Sequence, residues 1–545
     1  MNLDELSILL GQFGPYQRQK YLLMCFFSLL SAFHALNMVF VGAQPRHWCS
    51  LAYLNLSGTP LVNISQSEVK QLFLPEAAQC AQYDITGRLA QLEESAYNLS
   101  EVMAAGVGNN LTKTACTHGH SYARDKYKST ITSEFDLVCE RKHWRSTSKS
   151  IFFGGRLVGA FVFGQLSDRF GRRPMFFAGV FTLLVAGTVA SLSPSMLVFV
   201  PMYFLQGAAH TGAFLVAFTL STELVGPDYR VVAGFVIQIF YNFGYVILAG
   251  LAYFIREWRY LELAITLPAL LFGFYWWILP ESVPWLLAQG RDQEAEAILQ
   301  TAAKKNGVNL DPGVLQELKN DPTLRGGDRS YTALDCVRTR LMAVMSVTIW
   351  INWLVNSFVF YGIALNSENL SGDPYLNFCL IGGVGIFAEI LCIAMVKPLG
   401  RRIPLVMSMC LAGLVCIGAA FIQDEDASAM KTLVKVLVVA GKFWITCSYA
   451  TIYLWSAELF PTVVRNAGMG VASMSARIGG IFAPFVLDLR EAWSPLPLLV
   501  FGVLSIAAGL SGLSLPDTIT RSLPQTLDDV ATDRNTRKRV RSKPV

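Results

Sequence analysis

A charged turn between two long apolar segments is the feature that most restricts how this chain can fold. Residues 148–167 and 174–194 are each long and apolar enough to cross a lipid bilayer. The turn between them, residues 168–173, holds one aspartate and three arginines. Because an exposed turn is not stable in hydrocarbon, the turn lies in water and its flanks are membrane helices. Short basic loops stay on the cytoplasmic side, so the turn is predicted to be cytoplasmic.

The rest of the chain repeats this pattern. Only 15% of its residues are charged and its mean hydropathy is +0.42, which is too apolar for an ordinary soluble protein. The sequence predicts an all-α membrane protein with twelve transmembrane helices in two six-helix halves, residues 148–280 with helix one and residues 341–515. The predicted helices are 21–43, 148–168, 174–194, 197–222, 232–254, 260–279, 341–365, 373–396, 403–422, 432–457, 466–487 and 495–515.

Three polar segments are predicted to be cytoplasmic: the N-terminus, residues 1–20; the central loop, 281–340; and the tail, 516–545. The short loops on the same side are basic, whereas an outer loop carries Asp424, Glu425 and Asp426. Both termini are therefore expected inside. Within the central loop, the Ala-, Glu- and Lys-rich run 292–305 predicts one or two short surface helices. No stretch resembles a nucleic-acid-binding surface.

Residues 44–147 form one long polar segment after helix one. It holds four cysteines and four glycosylation sequons, which indicates a glycosylated, disulfide-bonded extracellular loop. An even cysteine count predicts two disulfides, but three pairings are possible and the spacing does not choose among them. The cysteines are Cys49, Cys80, Cys116 and Cys139, and the sequon asparagines are Asn55, Asn63, Asn98 and Asn110.

Two cytoplasmic motifs occur once in each half. Residues 171–173, Gly-Arg-Arg, recur at 400–402, and residues 221–224, Ser-Thr-Glu-Leu, recur as Ser-Ala-Glu-Leu at 456–459. Such matched halves predict a pseudo-twofold axis along the membrane normal and a substrate site near the midplane between the halves.

Several motifs together resemble the solute carrier 22 family of the major facilitator superfamily. They are Gly-Gln-Leu-Ser-Asp-Arg-Phe-Gly-Arg-Arg at 164–173, Ser-Glu-Phe-Asp-Leu-Val-Cys at 133–139, and the segments 254–259, 279–282, 441–443 and 457–466. The resemblance implies the superfamily fold and a polyspecific organic ion transporter of the plasma membrane that works by alternating access. It is strongest to the carnitine and ergothioneine branch, with the organic cation transporters close behind. The family's Pro-Glu-Ser-Pro-Arg-Trp is Pro-Glu-Ser-Val-Pro-Trp here, at 280–285, so its arginine is missing.

Charged residues inside helices are the candidates for substrate binding, because burying them in lipid is costly. Arg477 is interpreted as a clamp for a carboxylate, since the resemblance places arginine there in the anion and carnitine branches. Lys442 is either a substrate contact or part of a structural ion pair. Glu389 either forms a salt bridge with Lys442 or Arg477, the interpretation slightly favoured, or faces a substrate ammonium. Phe240, Tyr241, Trp353, Phe360 and Tyr361 are predicted to supply a ring-lined cavity wall.

Two further residues within predicted helices each have two possible roles. Arg156 either adds positive potential to the cavity or extends outwards to water, with neither interpretation favoured. His210 is interpreted as a hydrogen-bonded core residue rather than a proton carrier. The cytoplasmic gate is predicted to close through ion pairs that stabilise the outward-open state. The gate residues are Asp168, Arg169, Arg172, Glu223, Arg230, Glu281, Glu458 and Arg465.

The sequence leaves three functions open. The first is a transporter of organic zwitterions or anions, such as carnitine, and the second is an organic cation transporter. The third is a receptor-like membrane protein that binds without moving its ligand. The expected partners are a small organic ion and the lipid bilayer, and no cofactor is expected beyond a coupling ion such as sodium or an exchanged substrate. An enzyme is excluded because the sequence shows no nucleophile–base set, phosphate loop or metal-ligand cluster.

Overall fold

The computed structural model describes residues 3–51, 70, 74–75, 79–83, 113–310, 332–461 and 463–518. Twelve long helices follow one another in the predicted order. Helix α1 continues in a short helix, Met38–Val41, and α6 continues through Ala269–Phe272 and a 3-10 turn, Gly273–Trp277. The twelve are α1 (Pro15–Leu36), α2 (His143–Phe170), α3 (Arg172–Ser191), α4 (Met196–Leu224), α5 (Pro227–Phe254), α6 (Trp258–Thr266), α7 (Arg340–Leu365), α8 (Pro374–Leu399), α9 (Arg402–Ile422), α10 (Ser428–Leu459), α11 (Arg465–Asp488) and α12 (Leu496–Ser511).

Eleven helices in the described part of the chain are long and apolar enough to cross a membrane. The twelfth, α4, spans 29 residues but carries buried polar side chains along its length, among them Gln206, His210 and Thr211. These polar residues lower the mean hydropathy of α4, although they are buried inside the bundle. A helix with polar residues inside a bundle is a common place for a transport site.

The first helix begins earlier than predicted. Proline at position 15 opens α1 directly after Gly14, a position where the missing N–H of proline costs nothing. The turn that follows includes Gln17 and Lys20, which are buried, although their polarity had suggested a solvated N-terminus. The predicted cytoplasmic segment 1–20 therefore contains a short helix, Leu3–Leu9, and the start of α1.

The central segment is folded onto the first half. The helix predicted within 292–305 is confirmed as Asp292–Asn306, and a second short helix, Val283–Ala288, precedes it. Neither lies bare on the surface, because their apolar sides pack with the N-terminal helix in one buried cluster. That cluster comprises Leu6, Leu10, Trp285, Leu286, Leu287, Ala295, Leu299 and Ala303.

Residues Phe40–Arg145 and Ile255–Arg259 form a compact unit of their own, distinct from the helical bundle. Its strands are β1 (His47–Cys49), β2 (Ala81–Tyr83), β3 (Lys113–Ala115) and β4 (His120–Tyr122). They make two antiparallel pairs, β1 with β4 and β2 with β3.

Two disulfides close this unit, as the cysteine count predicted. Cys49 pairs with Cys116 and Cys80 pairs with Cys139, which selects one of the three pairings that the sequence left open. The four sequon asparagines, Asn55, Asn63, Asn98 and Asn110, lie outside the described residues, so their glycosylation stays a prediction.

Candidate functional site

The charged motif of the first half forms a cluster around Arg172. Its guanidinium lies 2.8 Å from Asp168 and 3.8 Å from Glu223. Glu281 accepts hydrogen bonds from the backbone N–H groups of Arg172, at 2.9 Å, and Arg173, at 3.2 Å. These N–H groups are at the start of α3, where a carboxylate is favoured by the helix dipole.

The second half builds the same cluster. Arg401 pairs with Glu458 at 2.8 Å, and Asp517 accepts from the backbone N–H of Arg401 at 3.3 Å. Gly171 and Gly400 each open their helix with a positive φ, +105° and +80°. A Cβ on either glycine would collide with the capping carboxylate, Glu281 or Asp517 respectively, so glycine is required at both places. The repeat in sequence is therefore a repeat in structure.

Three of the predicted gate residues bind elsewhere. Arg230 pairs with Asp4 at 2.6 Å, Arg465 donates to the Phe460 carbonyl at 3.3 Å, and Arg169 lies over the ring of Phe170. The two clusters pair within their own halves, Arg172 with Glu223 and Arg401 with Glu458. Their role in stabilising the outward-open state stays a prediction.

A second set of contacts joins the two halves at the opposite end of the bundle. Lys149 of α2 forms an ion pair with Glu368, which follows α7, at 2.9 Å. Nearby, Ser146 donates to Asp488 at 2.7 Å, and Ser150 donates to the Ile481 carbonyl at 2.7 Å. These contacts hold α2 against α7 and α11, so this end of the bundle is closed. We call it the α2 N-terminal end.

A cavity of about 620 Å³, open space at its mouth included, lies between the two halves. Helices α2, α4 and α5 of the first half and α7, α8 and α10 of the second supply its wall. The wall combines one arginine, one glutamate, one histidine, three neutral polar side chains and six aromatic rings. Its residues are Arg156, His210, Phe214, Gln238, Tyr241, Asn242, Phe360, Tyr361, Glu389, Thr446, Tyr449, Ala450 and Tyr453.

Arg156 is the cation on this wall. Its Nη1 donates to the Tyr361 hydroxyl at 2.8 Å and its Nε donates to Thr211 at 3.1 Å. Glycines on the same helix allow this approach, because a Cβ on Gly159 would collide with the backbone of α4. Among the residues that the structure describes, no carboxylate forms an ion pair with Arg156. Its remaining N–H donors suit a carboxylate ligand.

Glu389 is the acid on this wall. It is buried, and its Oε2 has no hydrogen-bond partner in the described part of the chain. The salt bridge favoured for it from the sequence is not formed. Lys442 instead places its Nζ 2.9 Å from the centre of the Phe360 ring and donates to the Phe360 carbonyl at 3.4 Å. Lys442 and Glu389 remain within electrostatic reach of each other without forming an ion pair.

Arg477 does not line the cavity wall. It lies on α11 and donates to the Ser473 carbonyl at 2.6 Å and to the Ser473 hydroxyl, both one turn earlier. The following Gly479 packs against the Leu354 carbonyl of α7, which confirms that the glycines allow close helix packing. Arg477 remains within electrostatic reach of Tyr453 and Arg156, which do line the cavity.

Four of the eight predicted substrate residues are on the wall, and four are not. Tyr241, Phe360, Tyr361 and Glu389 line the cavity. Trp353 is buried behind it and donates to Ser456 at 2.9 Å, while Phe240 packs edge-on against Phe26. Lys442 and Arg477 complete the second group. Substrate contact stays a prediction for all eight.

Sequence reasoning missed most of the α10 contribution. Thr446, Tyr449, Ala450 and Tyr453 all face the cavity. Their spacing of three, one and three residues is that of one helix face. Other positions of α10 are also polar, among them Lys442, Ser448 and Thr451, so the sequence alone did not single out this face.

Known proteins share both the sequence and the fold. The profile of the family "Sugar (and other) transporter" matches residues 89–526. An organic cation transporter protein of Drosophila melanogaster is 38% identical over 97% of this chain and 94% of its own length. Solute carrier family 22 member 21 of Mus musculus and organic cation/carnitine transporter 2 of Rattus norvegicus are each 34% identical over 97% of this chain and 93% of theirs. The chain belongs to the solute carrier 22 family.

The fold is that of the major facilitator superfamily. The inward-open xylose transporter XylE of E. coli superposes with a TM-score of 0.61 at 15% identity, covering 93% of this chain and 98% of XylE. Members of this superfamily are transporters, so the protein is a multi-pass membrane transporter and not an enzyme.

Proposed function

We propose that this solute carrier 22 protein moves organic zwitterions or anions across the plasma membrane by alternating access of the central cavity. The observation that carries the proposal is Arg156, a cavity-lining guanidinium that forms no ion pair with any described carboxylate. A buried charge without a partner is costly. A substrate carboxylate bound there removes that cost and gains two charge-assisted hydrogen bonds.

The opposite charge of a zwitterion has its own binding surface. Glu389 presents a carboxylate oxygen with no hydrogen-bond partner in the described part of the chain, and Tyr241, Tyr449 and Tyr453 line the same cavity. Aromatic faces and a carboxylate together attract a quaternary ammonium. Carnitine has both groups, and a relative of this chain is named as an organic cation/carnitine transporter.

Alternating access follows from the two ends of the bundle. The contacts at the α2 N-terminal end close that end, and rocking of the halves would break them and bring the two cytoplasmic clusters together. In this proposal both termini and the two clusters are cytoplasmic, and the cysteine-rich unit faces the outside. Net uptake also needs a driving ion or an exchanged solute.

An organic cation transporter is the second candidate. Glu389 and six aromatic rings on the wall favour it. The 38% identity to an organic cation transporter protein also supports it. In that case Arg156 repels the substrate and its replacement improves transport.

Uptake of labelled carnitine, a dicarboxylate and tetraethylammonium in cells distinguishes the two. For the first proposal, Arg156→Gln lowers uptake of both carboxylates by roughly tenfold or more, since a hydrogen bond to a charged group contributes about 1.5–3 kcal/mol. Glu389→Gln lowers uptake of carnitine but spares the dicarboxylate.

Arg291→Gln serves as the control for general loss of an arginine, and Arg477→Ala tests separately whether Arg477 also binds the carboxylate. Arg291 lies outside the bundle and pairs with Glu294. Uptake of tetraethylammonium alone, raised by Arg156→Gln, would establish the cation transporter. No uptake of any solute by a chain that reaches the cell surface would contradict both candidates and favour a receptor.

A further inference from the structure

A carboxyl group is buried inside the first half, away from the cavity wall. Glu262 of α6 is fully buried and forms no ion pair among the described residues. It accepts hydrogen bonds from Asn37 at 2.7 Å and from Gln206. An ionisable group in this position within a membrane helix is expensive and commonly has a function in moving ions or protons.

Polar side chains connect Glu262 with the cavity. The Gln206 amide that donates to Glu262 also lies 2.9 Å from Nδ1 of His34 on α1. His210 is one helical turn after Gln206 on α4, so the two side chains lie on the same helix face. His210 lines the cavity and interacts electrostatically with His34. The order from cavity to interior is therefore His210, His34, Gln206 and Glu262.

This chain of polar groups has unused hydrogen-bonding capacity. Among the described residues, Oε1 of Gln206 and the Ser31 hydroxyl have no hydrogen-bond partner, while the rings of His34 and His210 face the backbone of Ile265 and Ser31. A purely structural polar network is normally satisfied at each buried atom. Histidine gains and loses protons near neutral pH, so two imidazoles beside this buried carboxyl suit proton transfer.

We infer that Glu262 is a proton-binding site, that His34 and His210 connect it to the cavity, and that the proton enters together with the substrate carboxylate. This inference rests on the proposed transport of zwitterions or anions. The ligand of the Glu262 site is a proton, so the ion that drives substrate transport is H⁺ rather than sodium.

One proton is gained in the step, and no other bond is made or lost. A proton from cavity water binds an imidazole nitrogen of His210, and water carries it past His34 to Glu262, which becomes a neutral carboxyl; the Gln206 amide between His34 and Glu262 takes up no proton. The new O–H needs an acceptor. Rotation of the Gln206 amide supplies its unpartnered Oε1 to that hydrogen, since the two amide orientations occupy the same space.

Charges around His210 explain why the proton and the substrate bind together. Arg156 and Arg477 both oppose a positive imidazole at His210. A substrate carboxylate held by Arg156 offsets this repulsion, so each ligand favours the other. Besides these two arginines, the titratable groups around the chain are His34 from α1, Tyr203 from α4, Tyr241 from α5, Tyr361 from α7, Glu389 from α8, and Tyr449 and Tyr453 from α10.

The test uses the full chain in proteoliposomes with the membrane potential clamped at zero. Labelled carnitine uptake is measured with about pH 7.5 inside and either the same pH or about pH 5.5 outside, the range in which histidine titrates. One proton per substrate allows accumulation up to about a hundredfold under this two-unit gradient. Glu262→Gln keeps the side-chain shape but binds no proton, so the gradient no longer stimulates its uptake. Glu294→Gln, on the exposed face of the central segment, keeps the stimulation.

Exchange of labelled for unlabelled carnitine without a gradient separates the two proposals. A parent chain that exchanges but ignores the gradient overturns the proton site alone, whereas a parent chain without exchange overturns the proposed function. Gradient stimulation retained in Glu262→Gln also overturns the site. If Glu262→Gln shows no exchange, His210→Gln takes its place, and gradient stimulation retained in that variant overturns the site. A pH-sensitive dye inside the vesicles also follows proton entry into the parent when carnitine is added, and no proton entry overturns the site.

Discussion

Lys149 and Glu368 form an ion pair in which only 3% and 7% of the two side chains are exposed. The pair connects α2 of the first half with the turn after α7 of the second, and it closes the α2 N-terminal end of the bundle. Water reaches neither partner freely, so breaking this ion pair costs free energy. That property suits a contact that must form and break in each transport cycle.

Lys149→Met should open this end of the bundle. It removes the cation that lies 2.9 Å from the buried Glu368, which should destabilise the closed state by on the order of a few kcal/mol. A cysteine placed at Thr446 on the cavity wall should then react faster with a membrane-impermeant maleimide added outside. Exchanging the charges, Lys149→Glu with Glu368→Lys, should restore slow labelling. Unchanged labelling in Lys149→Met would show that this pair does not hold the closed state.

The two arginine–carboxylate clusters should differ in strength. Glu458 lies 2.8 Å from Arg401, whereas Glu223 lies 3.8 Å from Arg172. Glu458→Gln should therefore lower the melting temperature of the detergent-purified chain more than Glu223→Gln, by an energy difference on the order of 1 kcal/mol. Double variants with Arg401→Gln and Arg172→Gln give the coupling energy of each pair. Equal coupling energies for the two pairs would contradict the prediction that the shorter ion pair is the stronger one.

Glu134 makes the cysteine-rich unit sensitive to acid. Burial raises the pKa of its carboxyl, but hydrogen bonds from Arg259 and Trp258 outweigh burial and the pKa is lowered overall. The stabilisation is thus present above the unfolded pKa of about 4.3 and is lost as the pH falls through the lower folded value. Hydrogen exchange of residues 131–135, corrected for intrinsic rates, should accelerate below about pH 4. Glu134→Gln should exchange faster at neutral pH and lack this acid step.

The disulfides should be equally necessary for the cysteine-rich unit. They close loops of similar length, with sequence separations of 67 and 59 residues. The chain-entropy estimate is about 4 kcal/mol for each. Cys49→Ser with Cys116→Ser, and Cys80→Ser with Cys139→Ser, should lower surface delivery to a similar degree. Peptide mapping without reduction checks the pairing itself, and a Cys49–Cys80 peptide would contradict it.

The fold was predictable because length and hydropathy alone define most membrane helices. Helix α4 is the exception, because by composition it falls outside the eleven membrane-length apolar helices of the described chain. It was still predicted from the sequence, because its polar residues are isolated within an apolar segment. The disulfide pairing was not predictable. It depends on how the two strand pairs fold, with Cys49 opposite His120 and Ala81 opposite Ala115, and the spacing of the cysteines does not show this.

The cavity wall was harder to predict, because it depends on how each helix is rotated. Helices α7 and α8 have no distinct polar face, so their sequences do not show which face meets the cavity. Arg156 and Arg477 both looked like intramembrane cations. Close packing at Gly159 directs α2 so that Arg156 reaches Tyr361, while Arg477 folds back on its own helix at Ser473.

The two arginine–carboxylate clusters also bear on how the chain is held together. Asn306 at the end of the central helix binds the Leu10 carbonyl at 2.8 Å, whereas Ser346 of α7 binds the Cys336 carbonyl at 2.9 Å. The residues before 311 thus attach to the first half, and those after 331 attach to the second. Each half carries its own arginine–carboxylate cluster and its own capped helix. Two polypeptides, divided between residues 311 and 331 and expressed together, should therefore assemble into one working transporter.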